Sequence, residues 1–372
     1  MKASASDMSK AICVLHVGPG FGQRGGVASV LNELRAAKAL FEENSIRVEF
    51  FETRGFKTMK GRLLFFALDL PRFFLRVLNG VDIIHFHVSP RGSVLRKLLL
   101  YRATRMLRRK VVFHWHANDL AESIERSNRW LNSGLREFIE SSDDAIGVST
   151  ATAVDIRSFR GGASVRVIGN CALNAEHIAS LGPAKAMSER VLPPYIAFSG
   201  RLVEEKGLFE LFTAAAILKK KRRHVHVKLA GTGETDRWVE LARKLDIEDC
   251  ISFTGWLRGE DLMDFYRNAL ALCLPSHRES FGIATLEAMF CGLAVVGTRT
   301  GGFLDLVKEG ETGYLVDTGN AEQLAEAIKR VCEDPGVAWR MGEAGRQYGL
   351  ERYSFKSVCA EYVRCYRELW SL

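Results

Sequence analysis

The sequence predicts an α/β protein built from two doubly wound domains, each a parallel sheet wrapped by helices. Three observations carry that expectation. Short β-type runs alternate with helical patterns from end to end, the mark of βαβ units and parallel sheets. A length of 372 residues suits two domains of ordinary size. Leu181 to Pro194 then collects Gly, Ala, Ser and three prolines without periodicity, and a fresh strand opens at Tyr195.

In chain order, the first half offers strands at Ile12 to Val17, Arg47 to Phe51, Asp82 to Val88, Val111 to Trp115, Ala145 to Val148 and Val165 to Ile168. Helical patterns fill Gly26 to Leu40, Val94 to Arg108 and Asn128 to Glu140. The second half reads strand 195–200, helix 207–221, strand 225–230, helix 234–245, strand 251–254, helix 260–268, strand 270–274, helix 282–290 and strand 294–297. Helical patterns follow at 320–332, 336–348 and 355–369. Domains are therefore expected at 1–188 and 189–350, with a final helix, 351–372, packing back on the first. Two such sheets place the carboxyl ends of their strands on either side of a cleft, where ligands of open sheets bind.

Composition narrows the class. With 47% hydrophobic and 26% charged residues, disordered and low-complexity chains are excluded. The eight cysteines contain no C-x-x-C pair, so they read as reduced cytosolic thiols rather than zinc or redox ligands. The polar start, Met1 to Lys10, leads into a short apolar run that reads as a buried strand and not a signal peptide. Leu63 to Leu78 is strongly apolar, yet Asp69, Pro71, Arg72 and Arg76 interrupt it, so it does not read as a membrane span. The net charge of +8 is regional: Arg54 to Lys110 holds fourteen basic residues against only Asp69 and Asp82. There Phe56, Leu63, Leu64, Phe65, Phe66, Phe73, Phe74 and Leu75 mingle with Lys57, Lys60, Arg62, Arg72 and Arg76, a pattern suited to a membrane's headgroup boundary. No recognised nucleic-acid module accompanies the charge.

Gly18 to Gly26 follows a strand and opens a helix, the context in which backbone N–H groups hold phosphate. Gly20, Gly22 and Gly25 satisfy G-x-G-x-x-G, and Glu52 ends the second strand where it could bind a ribose, so an NAD-dependent oxidoreductase stands as the alternative. The pairs His85/His87 and His114/His116 each fall on one side of a strand. No carboxylate or thiolate stands at ligand spacing beside them, so no metal site is expected. His116, nearest the following loop, is the ligand-facing candidate.

In the second half Arg201 and Lys206 lie at the carboxyl end of the first strand, beside a helix N-terminus, where two cations suit a diphosphate. Downstream an E-x7-E pair joins Glu279, in a strand-end loop, to Glu287 on the next helix. Between them the amides from Phe281 to Ala284 open that helix.

At these residues the sequence resembles the retaining GT-B glycosyltransferases of family 4. The likeness is dense from Phe198 to Val316: SGRLVEEKG, GTGE, FTG, the E-x7-E element running into EAMFCGLAVV, and GETGYLV follow in order. Before residue 190 it rests on Gly25-Gly26, DIIHFH at 82–87, the strand ending at His116, and Ser149. Asp305 stands where the family usually has Glu, and Val167 to Cys171 replaces its strand-end Pro-Asn-Gly.

The resemblance implies a GT-B fold and transfer of a sugar from a nucleoside-diphosphate donor to an acceptor hydroxyl with retention. It implies that Arg201 and Lys206 bind the diphosphate and that Glu287 binds the ribose hydroxyls. Glu279, with the amides of Gly282 and Ile283, would hold the sugar. Gly26 would let the backbone approach the phosphate, and His116 would touch the sugar. Two cations and no D-x-D sequence imply that no metal and no cofactor is needed. A non-catalytic sugar-nucleotide binding protein is a further alternative. With the basic stretch, these residues lead to the expectation of a cytoplasmic enzyme, peripheral at the inner face of a membrane through 54–110. Its acceptor would be a lipid-linked glycan in bacterial polysaccharide assembly.

Overall fold

Parallel pairing joins every strand of both sheets, so each connection must cross over, and helices make the crossovers. The computed structural model describes residues 11–20, 26–53, 58–90, 92–173, 175–183, 185 and 194–371. The chain forms two units, Met1–Asn174 with Phe355–Leu372, and Ala175–Ser354. The division falls ahead of the junction that composition marks at 188/189. The helix Ala175–Leu181 belongs with the second unit, where the Arg346 guanidinium donates to Gly182 O at 2.5 Å.

The first sheet contains β1 (Ile12–Pro19), β2 (Ile46–Thr53), β3 (Ile83–Val88), β4 (Lys110–Trp115), β5 (Asp144–Gly147) and β6 (Arg166–Val167) in the order β2-β1-β3-β4-β5-β6. Alternation gives its central strands two different faces. One carries Leu15, Val17, Ile84, Phe86, Phe113 and Trp115 into an apolar core with Phe65, Phe73, Leu98, Phe138 and Ile139. The other carries His16, His85, His87, His114 and His116, with His16 opposite His85 and His87 opposite His114 in register. The helix Phe355–Ser371 covers that face, burying Tyr362 and Tyr366 completely.

The second sheet contains β7 (Tyr195–Ser199), β8 (His226–Ala230), β9 (Ile251–Gly255), β10 (Ala271–Leu274), β11 (Ala294–Thr298) and β12 (Gly313–Val316) in the order β12-β11-β10-β7-β8-β9. The chain builds outward from β7 through β8 to β9, then returns to β7's other side at β10. That reversal opens a crevice at the carboxyl ends of β7 and β10. The helices Leu208–Lys220 and Ala321–Glu333 pack together, and Gly342 of the helix Pro335–Tyr353 lets that helix close on the sheet, since a Cβ there would stand 2.1 Å from Gly292 O.

Several elements depart from expectation. The pattern Gly26 to Leu40 divides into helices Gly26–Ala36 and Lys38–Glu42, with Ala37 buried at the break. Met59 to Leu78 is helical throughout, with a π-helical turn at Phe65–Asp69. Phe65, Asp69, Phe73 and Val77 form its buried stripe, while Met59, Leu63, Phe66, Leu75 and Leu78 are exposed. Among the described residues no helix is long and apolar enough to cross a membrane.

Candidate active site

The turn leaving β7 is pinned on two sides. Leu202 N donates to Thr232 O at 3.0 Å and Glu234 N to Leu202 O at 2.9 Å, tying it to the loop after β8. The short 3-10 turn Glu204–Lys206 then ends at Gly207, whose φ of 71° is left-handed and which opens the helix Leu208–Lys220. A Cβ on Gly207 would stand 1.9 Å from Pro275 O, so only glycine lets this turn lie against the loop after β10. His277 N donates to Glu205 O at 2.9 Å and fastens the two loops.

That contact brings two expected site residues together. The Lys206 ammonium donates to Glu279 Oε2 at 2.7 Å, with the side chains 23% and 14% exposed. Backbone fixes Glu279 from its other side, since Gly302 N donates to Glu279 O at 2.9 Å and a Cβ on Gly301 would come within 1.8 Å of that oxygen. Arg201 is exposed, and its side chain makes no hydrogen bond or ion pair with the described residues.

Gly282 supplies a φ of 102° before the helix Ile283–Phe290. The first amide bonded within that helix is Leu286 N, to Gly282 O at 3.0 Å, so the amides of Ile283, Ala284 and Thr285 have no carbonyl in their own helix. They form the positive end of the helix dipole. Glu287 lies one turn further along, where the buried Tyr266 hydroxyl donates to its Oε2 at 3.4 Å. Burial and the Glu287 charge push the Tyr266 phenol well above its ordinary range, so that hydroxyl remains a donor.

Sequence reasoning missed Tyr266, which resembles any core aromatic until its hydroxyl is placed. It also missed the Glu210–His277 contact of 2.9 Å, since Glu210 reads as a surface helix residue yet is 8% exposed. Around the β10 end, Ser276 Oγ, Thr285 Oγ1 and Glu210 Oε2 are buried without a hydrogen-bond partner among the described residues.

In the first unit His116 ends the run of β4, its N–H donating to Val88 O at 2.9 Å. Burial and the nearby Lys97 hold its imidazole well below the ordinary histidine range. Gly26 is exposed at the start of its helix, and Gly22 and Gly25 of the turn before it lie outside the described residues. Gly18 serves packing, since a Cβ there would meet Leu31 Cδ1 at 2.2 Å. Ser149 caps the helix Thr150–Ser158, its Oγ accepting from Thr152 N at 3.3 Å. Two histidine groupings, His16/His85/His87 and His87/His114/His116, have ring nitrogens within 4.8 Å of one another. Eight of the ten ring nitrogens of these five histidines are engaged in hydrogen bonds, so a metal would have to replace those bonds.

The basic stretch is less free than its composition suggests. Lys97 is buried, its ammonium donating to His87 O, and burial lowers its pKa to about 7. Arg102 pairs with Glu137 at 2.9 Å, Arg105 with Asp143 at 3.3 Å and Lys110 with Asp143 at 3.6 Å. Arg76 pairs with Glu49. Phe56 and Lys57 lie outside the described residues.

Residues 186–348 match the family Glycosyl transferases group 1, and residues 12–172 match Glycosyltransferase Family 4. Among curated proteins, the glycogen synthase of Mycobacterium tuberculosis is 28% identical over 68% of this chain and 59% of its own length. The capsular polysaccharide biosynthesis glycosyltransferase CapM of Staphylococcus aureus is 28% identical over 46% of this chain and 45% of its own. The chain thus spans less than two thirds of the length of these relatives. HepE of Anabaena, solved in complex with UDP-glucose, shares the fold with a TM-score of 0.70 at 21% identity, covering 97% of this chain and all of that one.

Proposed function

Because this chain belongs to the group 1 glycosyltransferases with a GT-B fold, we propose that it transfers a sugar from a nucleoside diphosphate to an acceptor hydroxyl with retention. The observation that carries the proposal is the Lys206–Glu279 pair at the carboxyl ends of β7 and β10, beside the unbonded amides of the helix Ile283–Phe290. As the glycosidic C–O bond breaks, negative charge grows on the departing phosphate. Lys206 and Arg201 stabilise that charge without a metal. The amides of Gly282 and Ile283, with Glu279, hold the sugar, and Glu287 accepts from the ribose hydroxyls. His116 contacts the sugar, and Gly26 lets backbone approach the phosphate. The departing phosphate takes the acceptor's proton, so no protein nucleophile enters the scheme.

The acceptor is proposed to be a lipid-linked glycan, reached from the cytoplasmic face of a membrane. Exposed Met59, Leu63, Phe66 and Leu75 beside Lys60, Arg62 and Arg72 support that reading. Calorimetric titration with UDP, GDP, ADP and NAD tests the donor class. One nucleoside diphosphate should bind and NAD should not; NAD binding alone would return the oxidoreductase. Transfer from the matching donor should survive EDTA, and the anomeric configuration of the product should match that of the donor.

A further inference from the structure

Five buried or half-buried histidines on one sheet face form a single file of hydrogen bonds. His116 Nε2 meets His87 Nδ1 at 2.9 Å, and His87 Nε2 meets His16 Nδ1 at 2.9 Å. His16 Nε2 meets the Tyr366 hydroxyl at 3.3 Å, and that hydroxyl meets His85 Nδ1 at 2.7 Å. His85 Nε2 meets His114 Nδ1 at 3.0 Å, where the file stops, because His114 Nε2 is buried with no partner among the described residues. Only His116 keeps partial exposure; the other four imidazoles and Tyr366 are at most 1% exposed.

A neutral imidazole has one N–H and one bare nitrogen. Each contact of this length needs one shared proton. If His116 donates inward through Nε2–H, every other histidine must do the same, and His114 ends as a buried Nε2–H. If instead His114 donates outward through Nδ1–H, every histidine carries its proton on Nδ1. Tyr366 passes either sense, accepting from one neighbour and donating to the other. A reversal at Tyr366 would leave its own O–H buried without an acceptor, which costs the desolvation of that group.

We infer that these six groups form one relay in which all five imidazoles are neutral and carry their protons on the same ring nitrogen. His114 and Tyr366, both buried, thereby decide whether His116 presents an Nδ1–H donor or a bare Nδ1 acceptor toward the substrate. The relay does not conduct a net proton. Its inner end is closed, so adding one would strand an imidazolium in the interior. Other side chains also face the file: Lys97 of the helix Gly92–Met106 sets its ammonium near His116, Phe50 of β2 stacks on His16, and Tyr362 of the last helix lays its edge on His85. None of these is a carboxylate that would stabilise a charged imidazole. Hydrogen-bond separations of 2.9–3.0 Å favour shared protons over a metal.

The substrate contact of His116 rests on the function proposed above; the shared tautomer does not, and it is measured without donor. The test is a long-range 1H–15N correlation spectrum of the full chain with 15N-labelled histidine at pH 7.5. All five histidines should be neutral and of one tautomer. In Tyr366→Phe the inner pair His85–His114 has one unbonded N–H in either sense, so both tautomers should appear there. Mixed tautomers or a cationic member in the wild type would overturn the relay, as would wild-type signals at His85 and His114 in the variant. Uptake of one equivalent of Zn2+ with loss of the N–H signals would make the cluster a metal site instead. If Tyr366→Phe does not fold, the wild-type spectrum decides.

Discussion

An ammonium and a carboxylate 2.7 Å apart cannot be altered independently, so Lys206 and Glu279 act as a unit. Lys206→Ala is expected to lower kcat about 10²-fold, by loss of a preorganised donor to the leaving group. Glu279→Ala should also lower kcat, and the double variant should fall well short of the product of the two effects. A four-protein kinetic cycle checks this, and full multiplicativity would show the pair to be uncoupled in the reacting complex. Glu287 stands apart from that pair. Glu287→Ala should weaken binding of the free nucleoside diphosphate, read by titration calorimetry, and Tyr266→Phe should do so to a smaller degree, since it keeps the carboxylate and removes its hydrogen bond from the phenol at 3.4 Å. Unchanged affinity in Glu287→Ala would free that residue from the ribose. The placement of these residues at strand ends was legible, because cations and carboxylates followed the apolar runs of β7 and β10. The pairing was not legible, because it depends on Gly207 and Gly301 bringing distant loops within reach.

At the scale of elements, the helical run from Met59 to Leu78 keeps Phe65, Phe73 and Val77 for the core and turns Leu63, Phe66 and Leu75 outward. Most charge on the segment after it is paired or buried, so this run is where association with an anionic membrane is expected. Each basic residue near such a surface is worth roughly 1 kcal/mol. Lys60, Arg62 and Arg72 changed together to Gln should therefore weaken binding to anionic vesicles on the order of a hundredfold at low salt. Vesicle sedimentation measures it, and wild-type protein that ignores the vesicles would refute the membrane role. Strands were the most legible elements, because continuous apolar runs such as Ala294 to Val296 admit little else. The Met59–Leu78 helix was not foreseen. Its buried stripe, with Asp69 in line and a π-helical turn inside it, breaks the ordinary 3.6-residue period.

Over the whole molecule, the histidine face ties stability to pH. His16, His85, His87 and His114 are held below their ordinary pKa by burial, His16 to about 3. An unfolded chain binds protons at these sites below about pH 6.5 while the folded one does not, so the unfolded state gains as pH falls. Their contribution is complete above that pH and is lost below it, at up to about 1.4 kcal/mol per pH unit for each histidine. Tm measured from pH 7.5 to 5 should fall steeply, and a flat profile would contradict the neutral interior.

The helix that seals this face, Phe355–Ser371, follows the whole of the second unit along the chain. During synthesis the ribosome therefore delivers a complete second unit while the first still lacks the tyrosines that close its histidine side. The nascent first unit must wait with those imidazoles wet and free to protonate. A chain released at Ser354 should hold a protease-resistant second unit beside a first unit that is readily cut.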